Sequence, residues 1–589
     1  MMNAIELKEH ARERAGAWTK EPFDAATRQE VGRLLEENGD ALVEHFYTDL
    51  EFGTGGLRGL MGPGTNRMNR YTVAQTTQGL AQYVLDSGSS NPSVAIAHDS
   101  RNGSPEFARV AAEVLAGNGI RVFLYPALRP TPQLSFTVRS KGCTAGIVIT
   151  ASHNPKEYNG YKVYWSDGGQ IVPPHDSGII REVRNVHSMD SVRWAADSDL
   201  PNIHLLGAGD DEAYLKTVQD LSLDAGLRKE GSDMPLVYTP LHGTGSVSVI
   251  PALKNTGFRN VHIVESQREP DGNFPTVHSP NPEEGAALAE AIALAKQVNA
   301  QLVMGTDPDS DRVGIAVPDT LSESGFRLLN GNETGALLVH YVLQGRKNAG
   351  QLNPQTDFVA TTIVTSNLMS ELGKRFDLKV HETLTGFKWI ADVIRREEGR
   401  SRFVVGGEES YGYMIGDAVR DKDAVAASCL LAEMAHVAQA AGTDLLGELE
   451  AIHREHGLYQ EALVSQTRQG RTGKADIVAQ MESFRTAPPR ELAGEEVLEL
   501  RDYQERKRTV FPSEETEDIA LPSSNVIQFV TSAGSIVTAR PSGTEPKIKF
   551  YFSVCMSPEE LAKKNNYGQA KKELESRIAR LKAALGING

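Results

Sequence analysis

A serine beside a histidine is the first pair of residues in this sequence whose types could do chemistry. Ser152 and His153 lie in the hexapeptide TASHNP, which follows a short apolar run, and Lys162 lies shortly after it. A serine hydroxyl is a weak nucleophile unless a neighbouring base or cation assists it. The same residues would also fit an ordinary turn between a strand and a helix. The complete hexapeptide favours the nucleophilic interpretation.

Three aspartates form a second group with a chemical use. Asp307, Asp309 and Asp311 alternate in the run DPDSDR, so in an extended loop their carboxylates can converge on one hard cation. Mg²⁺ suits this arrangement because it keeps open coordination positions for phosphate oxygens. An EF-hand calcium loop is excluded, since its required glycine and glutamate positions hold Arg312 and Pro318. A solvated acidic turn is the remaining alternative.

Two further polar loops contain groups that bind sugars or phosphates. In GGEES, Glu408 can accept hydrogen bonds from sugar hydroxyls, and Ser410 can both donate and accept. In RPSGTEP, Arg540 and two hydroxyl residues surround a glycine, a composition suited to holding a phosphate. Each loop alone is also compatible with a solvated surface turn. No GxxxxGK[ST] pattern occurs, so a P-loop nucleotide is not expected as the ligand.

The loops must be positioned by the strands and helices around them, which the sequence indicates as short apolar runs that alternate with helical patterns. The alternation is typical of α/β domains with parallel strands, and it recurs three times, ending in TASHNP, in DPDSDR and in GGEES. Ligands collect beyond the carboxyl ends of strands in open α/β sheets, so all three loops are expected at a ligand site. The predicted strands are residues 94–97, 121–125, 146–150, 236–238, 261–264, 301–305, 359–364, 380–383 and 403–405, and the predicted helices are 104–117, 282–298 and 387–396.

The C-terminal part of the chain shows a different pattern, which predicts a smaller α+β domain. Strands are predicted at 526–530, 535–539 and 547–554, before one long charged helix at 558–585, whereas residues 467–507 are polar and poorly patterned. Residues 1–45 are predicted to form helices. The predicted domains are 1–205 with the N-terminal helices and Ser152, 206–323 with the aspartates, 324–455 with GGEES, and 456–589 with RPSGTEP.

Composition and charge exclude several classes of protein. The chain has 589 residues, enough for about four domains of roughly 150 residues. Its formal net charge of -16 argues against non-specific nucleic-acid binding, so an anionic ligand requires a locally basic site. No apolar stretch reaches the roughly 20 residues that span a bilayer, the N-terminus lacks the features of a signal peptide, and three separated cysteines form no disulfide framework. We therefore expect a cytoplasmic protein without membrane or nucleic-acid partners.

The four loops, in this order, resemble those of the α-D-phosphohexomutase superfamily, which includes phosphoglucomutases and phosphomannomutases. The resemblance extends from about residue 51 to residue 554, and four ordered loops are far more specific than any one alone. It implies an α/β protein of three similar α/β domains with mixed sheets and a C-terminal α+β phosphate-binding domain around a central cleft. It also implies Mg²⁺ as cofactor, a sugar monophosphate as substrate and a sugar bisphosphate as activator. The oligomeric state is left open.

The resemblance also assigns a role to each loop residue. Ser152 would carry the phosphoryl group and would ligate Mg²⁺ together with Asp307, Asp309 and Asp311. The residues implied to assist proton transfer or to contact phosphate are Arg58 in GTGGLRG, Arg101 in HDSRNG, His153, Lys162 in YNGYK, Arg312, and Lys388 in TGFKW. Sugar hydroxyls would be bound by Glu408 and Ser410, and the non-reacting phosphate by Arg540, Ser542, Gly543 and Thr544.

The implied reaction is the interconversion of glucose 1-phosphate and glucose 6-phosphate through phospho-Ser152 and a bisphosphate intermediate. Tyr411 and Gly412 stand where the branch acting on both mannose and glucose phosphates has glycine and histidine, which favours glucose. The length and the ESYGYMIGD context resemble long bacterial phosphoglucomutases and the phosphopentomutase branch, so phosphopentomutase and phosphomannomutase stay open as alternatives. A magnesium-dependent sugar phosphatase and a non-catalytic phosphosugar-binding protein are less favoured, and the latter would need neither the serine nor the aspartates.

Overall fold

The computed structural model describes residues 4–53, 55–468, 473–542, 547–564 and 566–587. The chain forms two compact units. Unit 1 consists of Met1–Leu329, Ala391–Gly399 and Tyr411–Val437, and unit 2 consists of Asn330–Ile390, Arg400–Ser410 and Ala438–Gly589.

A six-stranded mixed sheet with helices on both faces forms the first part of unit 1. Ile96 packs in the core that contains α4 and α5, whereas its neighbour Ala97 packs against α6, because successive strand residues point to opposite faces. Its helices are α1 (Ala4–Ala17), α2 (Ala25–Glu37), α3 (Asp40–Phe46), α4 (Arg70–Asp86), α5 (Ser104–Gly117), α6 (Thr131–Lys141) and α7 (His175–Arg184), and its strands are β1 (Gly56–Leu60), β2 (Ser93–His98), β3 (Arg121–Leu124), β4 (Ala145–Ile149), β5 (Tyr158–Trp165) and β6 (Ile203–Leu205). The order is β1-β5-β4-β2-β3-β6, in which β4, β2, β3 and β6 are parallel.

The second part of unit 1 is a five-stranded mixed sheet built on a similar plan. Val237 and Val303 from neighbouring strands pack against Ala291 and Ala295 of one helix. The helices are α8 (Ala208–Gln219), α9 (Ala225–Glu230), α10 (Gly245–Thr256), α11 (Glu265–Arg268) and α12 (Ala289–Val298), and the strands are β7 (Leu236–Thr239), β8 (Val261–Ile263), β9 (Leu302–Thr306), β10 (Val313–Pro318) and β11 (Phe326–Leu329). The order is β11-β10-β9-β7-β8, in which β9, β7 and β8 are parallel.

A third α/β arrangement opens unit 2. Three parallel strands lie in the order β13-β12-β14. The elements from here to residue 456 are α13 (Gly331–Asn348), β12 (Asp357–Thr362), α14 (Asn367–Arg375), β13 (Lys379–Thr383), α15 (Phe387–Glu397), β14 (Arg402–Gly407), β15 (Tyr413–Ile415), α16 (Ala424–Ala440) and α17 (Leu445–His456). Of these, the later part of α15, all of β15 and most of α16 are assigned to unit 1. Across the described part of the chain, no single helix is long and apolar enough to cross a membrane, although one bent pair, α16 with α17, passes on length and composition alone.

The C-terminal part of unit 2 is mostly antiparallel β-sheet. Alternate residues of its longest strands, such as Phe550 and Phe552, are buried in one core with helix residues such as Leu574. The elements are β16 (Leu458–Thr467), α18 (Gly473–Thr486), β17 (Glu491–Leu492), β18 (Glu495–Asp502), β19 (Lys507–Val510), β20 (Glu515–Asp518), β21 (Ile527–Thr531), β22 (Ile536–Pro541), β23 (Lys547–Met556), α19 (Pro558–Ala562) and α20 (Tyr567–Ala584). The order is β16-β23-β22-β21-β18-β19-β20, and β17 pairs with β18.

The three α/β parts share one strand order. In each of them the first strand lies between the second and the third, giving β3-β2-β4, β8-β7-β9 and β13-β12-β14. The loops TASHNP, DPDSDR and GGEES follow the third strand of each set, as the sequence predicts. Because the first and third strands are parallel neighbours, the loop after the first strand borders the loop that contains the reactive groups.

Two predicted helices are wrong in extent, and the segment described as poorly patterned forms regular elements. The helix predicted at 282–298 begins only at Ala289, because Asn281 accepts a hydrogen bond from the Glu283 amide at 3.2 Å and Glu283 binds Arg312, which holds the first residues in turns. The helix predicted at 558–585 is two helices, since the Asn566 side chain caps a new helix at α20. The poorly patterned residues 467–507 include α18, β17 and β18.

Candidate active site

Backbone geometry at Ser152 presents its hydroxyl to the aspartate loop. Ser152 lies just past the end of β4 with a φ of 53°, in the left-handed region, and is 3% exposed. Its Oγ donates to Asp307 Oδ2 at 2.8 Å and lies 3.1 Å from His153 Nδ1. The candidate nucleophile and the first aspartate of DPDSDR are therefore in direct contact.

His153 and Arg58 lie beside Ser152 in the same part of unit 1. Burial, together with the nearby cations Arg312 and Arg58, lowers the pKa of His153 well below its usual value. The imidazole is therefore neutral near pH 7, and in the tautomer protonated on Nε2 its Nδ1 can accept the Ser152 proton. Arg58 is exposed, and its Nη1 donates to Asn154 Oδ1 at 3.2 Å. Both predicted residues thus lie close to the serine.

Protein donors bind at least one carboxylate oxygen of each aspartate in the aspartate triad (Asp307, Asp309 and Asp311), and Asp307 accepts hydrogen bonds on both oxygens. Asp307 Oδ1 accepts from the backbone amides of Asp311 and Arg312 at 3.1 and 3.0 Å. Asp309 Oδ2 accepts from Thr131 Oγ1 and from Lys162 Nζ, both at 2.8 Å. Asp311 Oδ2 accepts from Lys162 Nζ at 3.1 Å. These donors fix the orientation of all three carboxylates.

The other oxygens of the triad fit a hard divalent cation. Asp309 Oδ1 and Asp311 Oδ1 are buried without a hydrogen-bond partner among the described residues, and one ligand atom from each aspartate lies within 4.8 Å of the others. Buried polar atoms are costly in free energy unless a donor or a cation satisfies them. Burial and the charges of Asp309 and Asp311 also raise the pKa of Asp307 well above its usual value, and a bound cation would offset that repulsion. The triad could therefore bind a metal ion.

Two largely buried lysines balance the triad from the protein side. Besides Lys162, Lys422 lies 3.2 Å from Asp311 Oδ2 and 3.0 Å from Asp421 Oδ1, and Tyr164 donates to Asp421 Oδ2 at 2.7 Å. Burial acts to raise the pKa of Asp311, but the two lysines outweigh it and lower that pKa. The sequence analysis missed Lys422. The sequence pattern that could have indicated Lys422 is the run RDKD, in which a lysine lies between two aspartates. This pattern is weak evidence for a site because similar runs are common on solvated surfaces.

The backbone of the aspartate loop rests on the LHGTG loop that follows β7. The Thr244 amide donates to the Pro308 carbonyl at 2.8 Å. A Cβ atom at Gly243 would lie 2.4 Å from Pro308 Cα, so this position leaves no space for a side chain. At the end of the aspartate loop, Arg312 donates to Glu283. This support was not predicted from the sequence. The pattern that could have indicated it is the pair of glycines around a threonine shortly after a predicted strand.

Arg101 lies beneath the Ser152 loop (residues 150–158). Its side chain is 0% exposed, and Nε lies 3.3 Å from Asp99 Oδ2. Its terminal nitrogens donate to backbone carbonyls of the loop, starting with Ser152 at 2.6 Å. The structure thus places Arg101 next to Ser152 on the buried side of the loop, and its predicted contact with phosphate stays a prediction.

The GGEES loop lies in unit 2, where it contacts the turn before Lys388. Glu408 is buried and accepts from the Gly386 amide at 2.8 Å, and Lys388 Nζ lies 5.3 Å from the centre of the Trp389 ring. Burial and the charge of Glu408 raise the pKa of Glu409 to about 7. Within unit 2 the structure therefore brings Glu408 close to the segment that carries Lys388, and Ser410 is partly exposed at the end of the same loop.

The RPSGTEP loop follows β22 in the C-terminal sheet. Arg540 Nη1 donates to the Tyr551 hydroxyl at 3.4 Å, and the Ser542 amide donates to the Lys547 carbonyl at 2.7 Å. These bonds place both residues at the end of a hairpin. Gly543 and Thr544 lie outside the described residues.

Comparisons with known proteins agree with this geometry. Family models of the phosphoglucomutase/phosphomannomutase α/β/α domains I, II and III match residues 49–189, 212–320 and 330–452. The phosphoglucomutase of Staphylococcus epidermidis is 39% identical over 544 residues, covering 90% of this chain and 97% of that protein. The phosphoglucomutase of Staphylococcus haemolyticus is 38% identical over 536 residues, with 88% and 95% covered. The open form of the phosphoglucomutase pp63/parafusin from Paramecium has the same fold, with a TM-score of 0.67, 16% identity, and 92% of this chain and 95% of that chain covered.

The chain belongs to the phosphoglucomutase/phosphomannomutase family, whose members are phosphohexomutase-type isomerases. The resemblance to the α-D-phosphohexomutase superfamily is therefore confirmed. The predicted fold class is also confirmed, with three α/β/α domains that contain mixed sheets and a fourth, mostly β domain. The predicted domain boundaries stay a prediction.

Replacing Gly243 tests whether the LHGTG loop positions the triad. In Gly243→Ala, the new Cβ would displace Pro308, so we expect a divalent cation at the triad to bind about 10- to 100-fold more weakly, the range seen when groups that orient metal ligands are changed. Isothermal titration of the metal-free protein with Mg²⁺ measures this. The control is Gly209→Ala, where a Cβ would meet nothing within 4 Å and affinity should be unchanged. Equal affinities in both variants would show that this support does not position the ligands.

Proposed function

We propose that this protein interconverts glucose 1-phosphate and glucose 6-phosphate through a phosphoryl group carried on Ser152. The observation that carries the proposal is the 2.8 Å contact between Ser152 Oγ and Asp307 Oδ2, which joins the candidate nucleophile to the candidate metal site. A phosphoryl carrier needs a cation next to the oxygen that gains and loses phosphate. The glucose preference is supported by the two staphylococcal relatives, which are named phosphoglucomutases.

The proposed cofactor is Mg²⁺, held by Asp307, Asp309, Asp311 and Ser152. The donor set supports this, since carboxylate and hydroxyl oxygens are the ligands that Mg²⁺ prefers. When bound, Mg²⁺ supplies Lewis-acid stabilisation of negative charge on the phosphoryl oxygens. All other parts of the reaction are carried out by side chains of the protein.

The chemistry proceeds by two phosphoryl transfers. In the first, the P–Oγ bond of phospho-Ser152 breaks and a P–O bond to a free hydroxyl of the sugar monophosphate forms, while the hydroxyl proton passes to a base and Oγ takes up a proton. The bisphosphate then turns over and its other P–O bond to the sugar breaks: the phosphoryl group returns to Ser152 Oγ, the freed sugar oxygen takes up a proton, and the proton of Oγ leaves. His153 Nδ1, neutral and 3.1 Å from Oγ, can hold that proton, and Lys162, Arg58 and Arg312 are the cations that stabilise charge on the phosphate.

The remaining predicted residues would bind the parts of the substrate that do not react. Glu408 and Ser410 would hold sugar hydroxyls, with Lys388 contacting phosphate beside them, because Glu408 is fixed to the turn that precedes Lys388. In the C-terminal sheet, Arg540, Ser542, Gly543 and Thr544 would bind the distal phosphate. The proposed substrates are thus a sugar monophosphate and, as activator, the matching bisphosphate.

Replacing the proposed carrier tests the relay directly. Ser152→Ala should lower turnover of glucose 1-phosphate by at least about 1,000-fold, because loss of a covalent nucleophile removes the main route of catalysis. The protein should also take up no label from ³²P-labelled glucose 1,6-bisphosphate. Ser177→Ala, at an exposed serine, is the control and should behave as wild type. Normal turnover in Ser152→Ala would refute the proposal, and release of inorganic phosphate in place of isomerised ester would assign a phosphatase.

Removing the metal tests the role of the triad. After chelation, activity should disappear and return on addition of Mg²⁺. Mg²⁺ should also raise the melting temperature of the metal-free protein, since a ligand at 100 times its Kd adds about 2.7 kcal/mol to the free energy of unfolding. Asp309→Asn should abolish that stabilisation, whereas Asp220→Asn, in an exposed ion pair with Lys216, should retain it. Full activity without any divalent cation would contradict the assignment.

A further inference from the structure

The buried guanidinium of Arg101 binds the Ser152 loop through four backbone carbonyls. Nη2 donates to the carbonyl oxygens of Ser152, at 2.6 Å, and Asn154. Nη1 donates to those of Pro155 and Tyr158, at 2.9 and 3.1 Å. The planar guanidinium presents several donors in a fixed geometry, so one side chain can fix the start, middle and end of the loop together.

Arg101 is itself held in place on two sides. Asp99 Oδ2 lies 3.3 Å from its Nε, and Asp99 Oδ1 accepts from the Arg101 amide at 2.9 Å and from Ser104 Oγ at 2.7 Å. The Phe274 ring lies against the guanidinium, with 5.0 Å between its centre and Cζ. A cation that is paired, stacked and shielded from water in this way has little freedom to move.

The loop that carries Phe274 comes from the second α/β part of unit 1. A Cβ atom at Gly272 would lie 2.3 Å from the Asn102 amide nitrogen, and Asn102 donates to Asn273 at 3.0 Å. The segment around Arg101 is therefore clamped between the Ser152 loop and the loop at residues 271–274. Neither the sequence motifs nor the proposed reaction accounts for this clamp.

The same spatial relation recurs in the other α/β parts. Arg101 follows β2, the first strand of its set, and supports the loop after β4, the third strand. Thr244 follows β7 and donates to Pro308 in the loop after β9. Thr365 follows β12 and donates to Glu409 in the loop after β14 at 3.1 Å. In all three parts, therefore, a residue in the loop after the first strand supports the loop at the end of the third strand, and in the first part that residue is Arg101.

A contact with substrate phosphate would require donors that a ligand can reach. The Arg101 side chain is 0% exposed, and its four terminal bonds end on protein carbonyls. Ser152 above it has a φ of 53°, a left-handed conformation that is unfavourable for residues with a side chain, so the loop needs external support to keep it.

We infer that Arg101 is a positioning residue for phosphoryl transfer: it holds Ser152 in its left-handed conformation so that Oγ faces Asp307, and it does not bind the substrate. The inference rests on the proposed role of Ser152 as the phosphoryl carrier. Because a misplacement of about 1 Å at a reacting atom can lower a rate about 100-fold, loss of the support should appear in catalysis and not in substrate binding.

The test compares Arg101→Lys and Arg101→Met with wild type, using full-length protein, glucose 1-phosphate and glucose 1,6-bisphosphate. Both variants should lose about 100-fold in kcat, with KM changed less than about 2-fold, since lysine keeps the charge but cannot reach four carbonyls. Hydrogen exchange of residues 150–160 should accelerate in both. Kinetics are measured well below the melting temperature of every variant, so that global unfolding does not contribute.

Arg67→Met is the matched control. Arg67 is 8% exposed and donates to two backbone carbonyls, those of Glu44 and Asn66, neither of which belongs to the Ser152 loop. This variant should melt at a lower temperature yet keep the wild-type kcat and the wild-type exchange at residues 150–160. A drop in kcat matching that of the Arg101 variants would show that any buried arginine has this effect and would overturn the inference.

Three outcomes separate this inference from the function on which it rests. If Arg101→Lys retains the wild-type kcat, positive charge is sufficient and the positioning role is wrong. If KM rises while kcat holds, Arg101 contacts the substrate and the role is again wrong. If Ser152→Ala turns over normally, the phosphoryl relay itself fails, whatever the Arg101 variants show, because that measurement does not depend on Arg101.

Discussion

Parallel pairing of the first and third strands in each α/β part is the constraint on which the site depends. Their carboxyl ends lie side by side, so the loop after one strand must pack against the loop after the other. The reactive loops lie at the end of the third strand of each set, and in each set a residue in the loop after the first strand supports the reactive loop. Ser152 and the aspartate triad are therefore held by residues that lie far from them in sequence.

Charge balance around the aspartate triad follows from burial. Three buried aspartates would repel one another strongly in a medium of low dielectric constant. Lys162 and Lys422 contact the triad directly, and both bind the oxygens that face the protein. The lysines thus reduce the repulsion while two buried oxygens stay available for a cation.

The sequence predicts the parts of this structure that depend on local pattern. Strands such as β4 and β9 are short apolar runs, and the loops after them contain the reactive residue types, so both the α/β fold and the positions of Ser152 and the triad could be predicted. Lys422 could not, because its role depends on a tertiary contact with Asp311 that no local pattern records. The start of α12 was misjudged for the same reason, since the bond of Glu283 to Arg312 outweighs the helical pattern before Ala289.

Three residues with side chains adopt a left-handed backbone conformation, which explains why the reactive loops need supporting contacts. Ser152, Ser310 and Tyr411, one in or directly after each reactive loop, have φ values of 53°, 50° and 63°. Glycine would adopt this conformation without strain, but glycine at 152 would remove the hydroxyl that contacts Asp307. A residue whose side chain is needed for the chemistry can keep an unfavourable backbone conformation only where the surrounding structure imposes that conformation. At Ser152 the imposing group is Arg101, so the buried arginine and the strained serine are best understood as one structural feature.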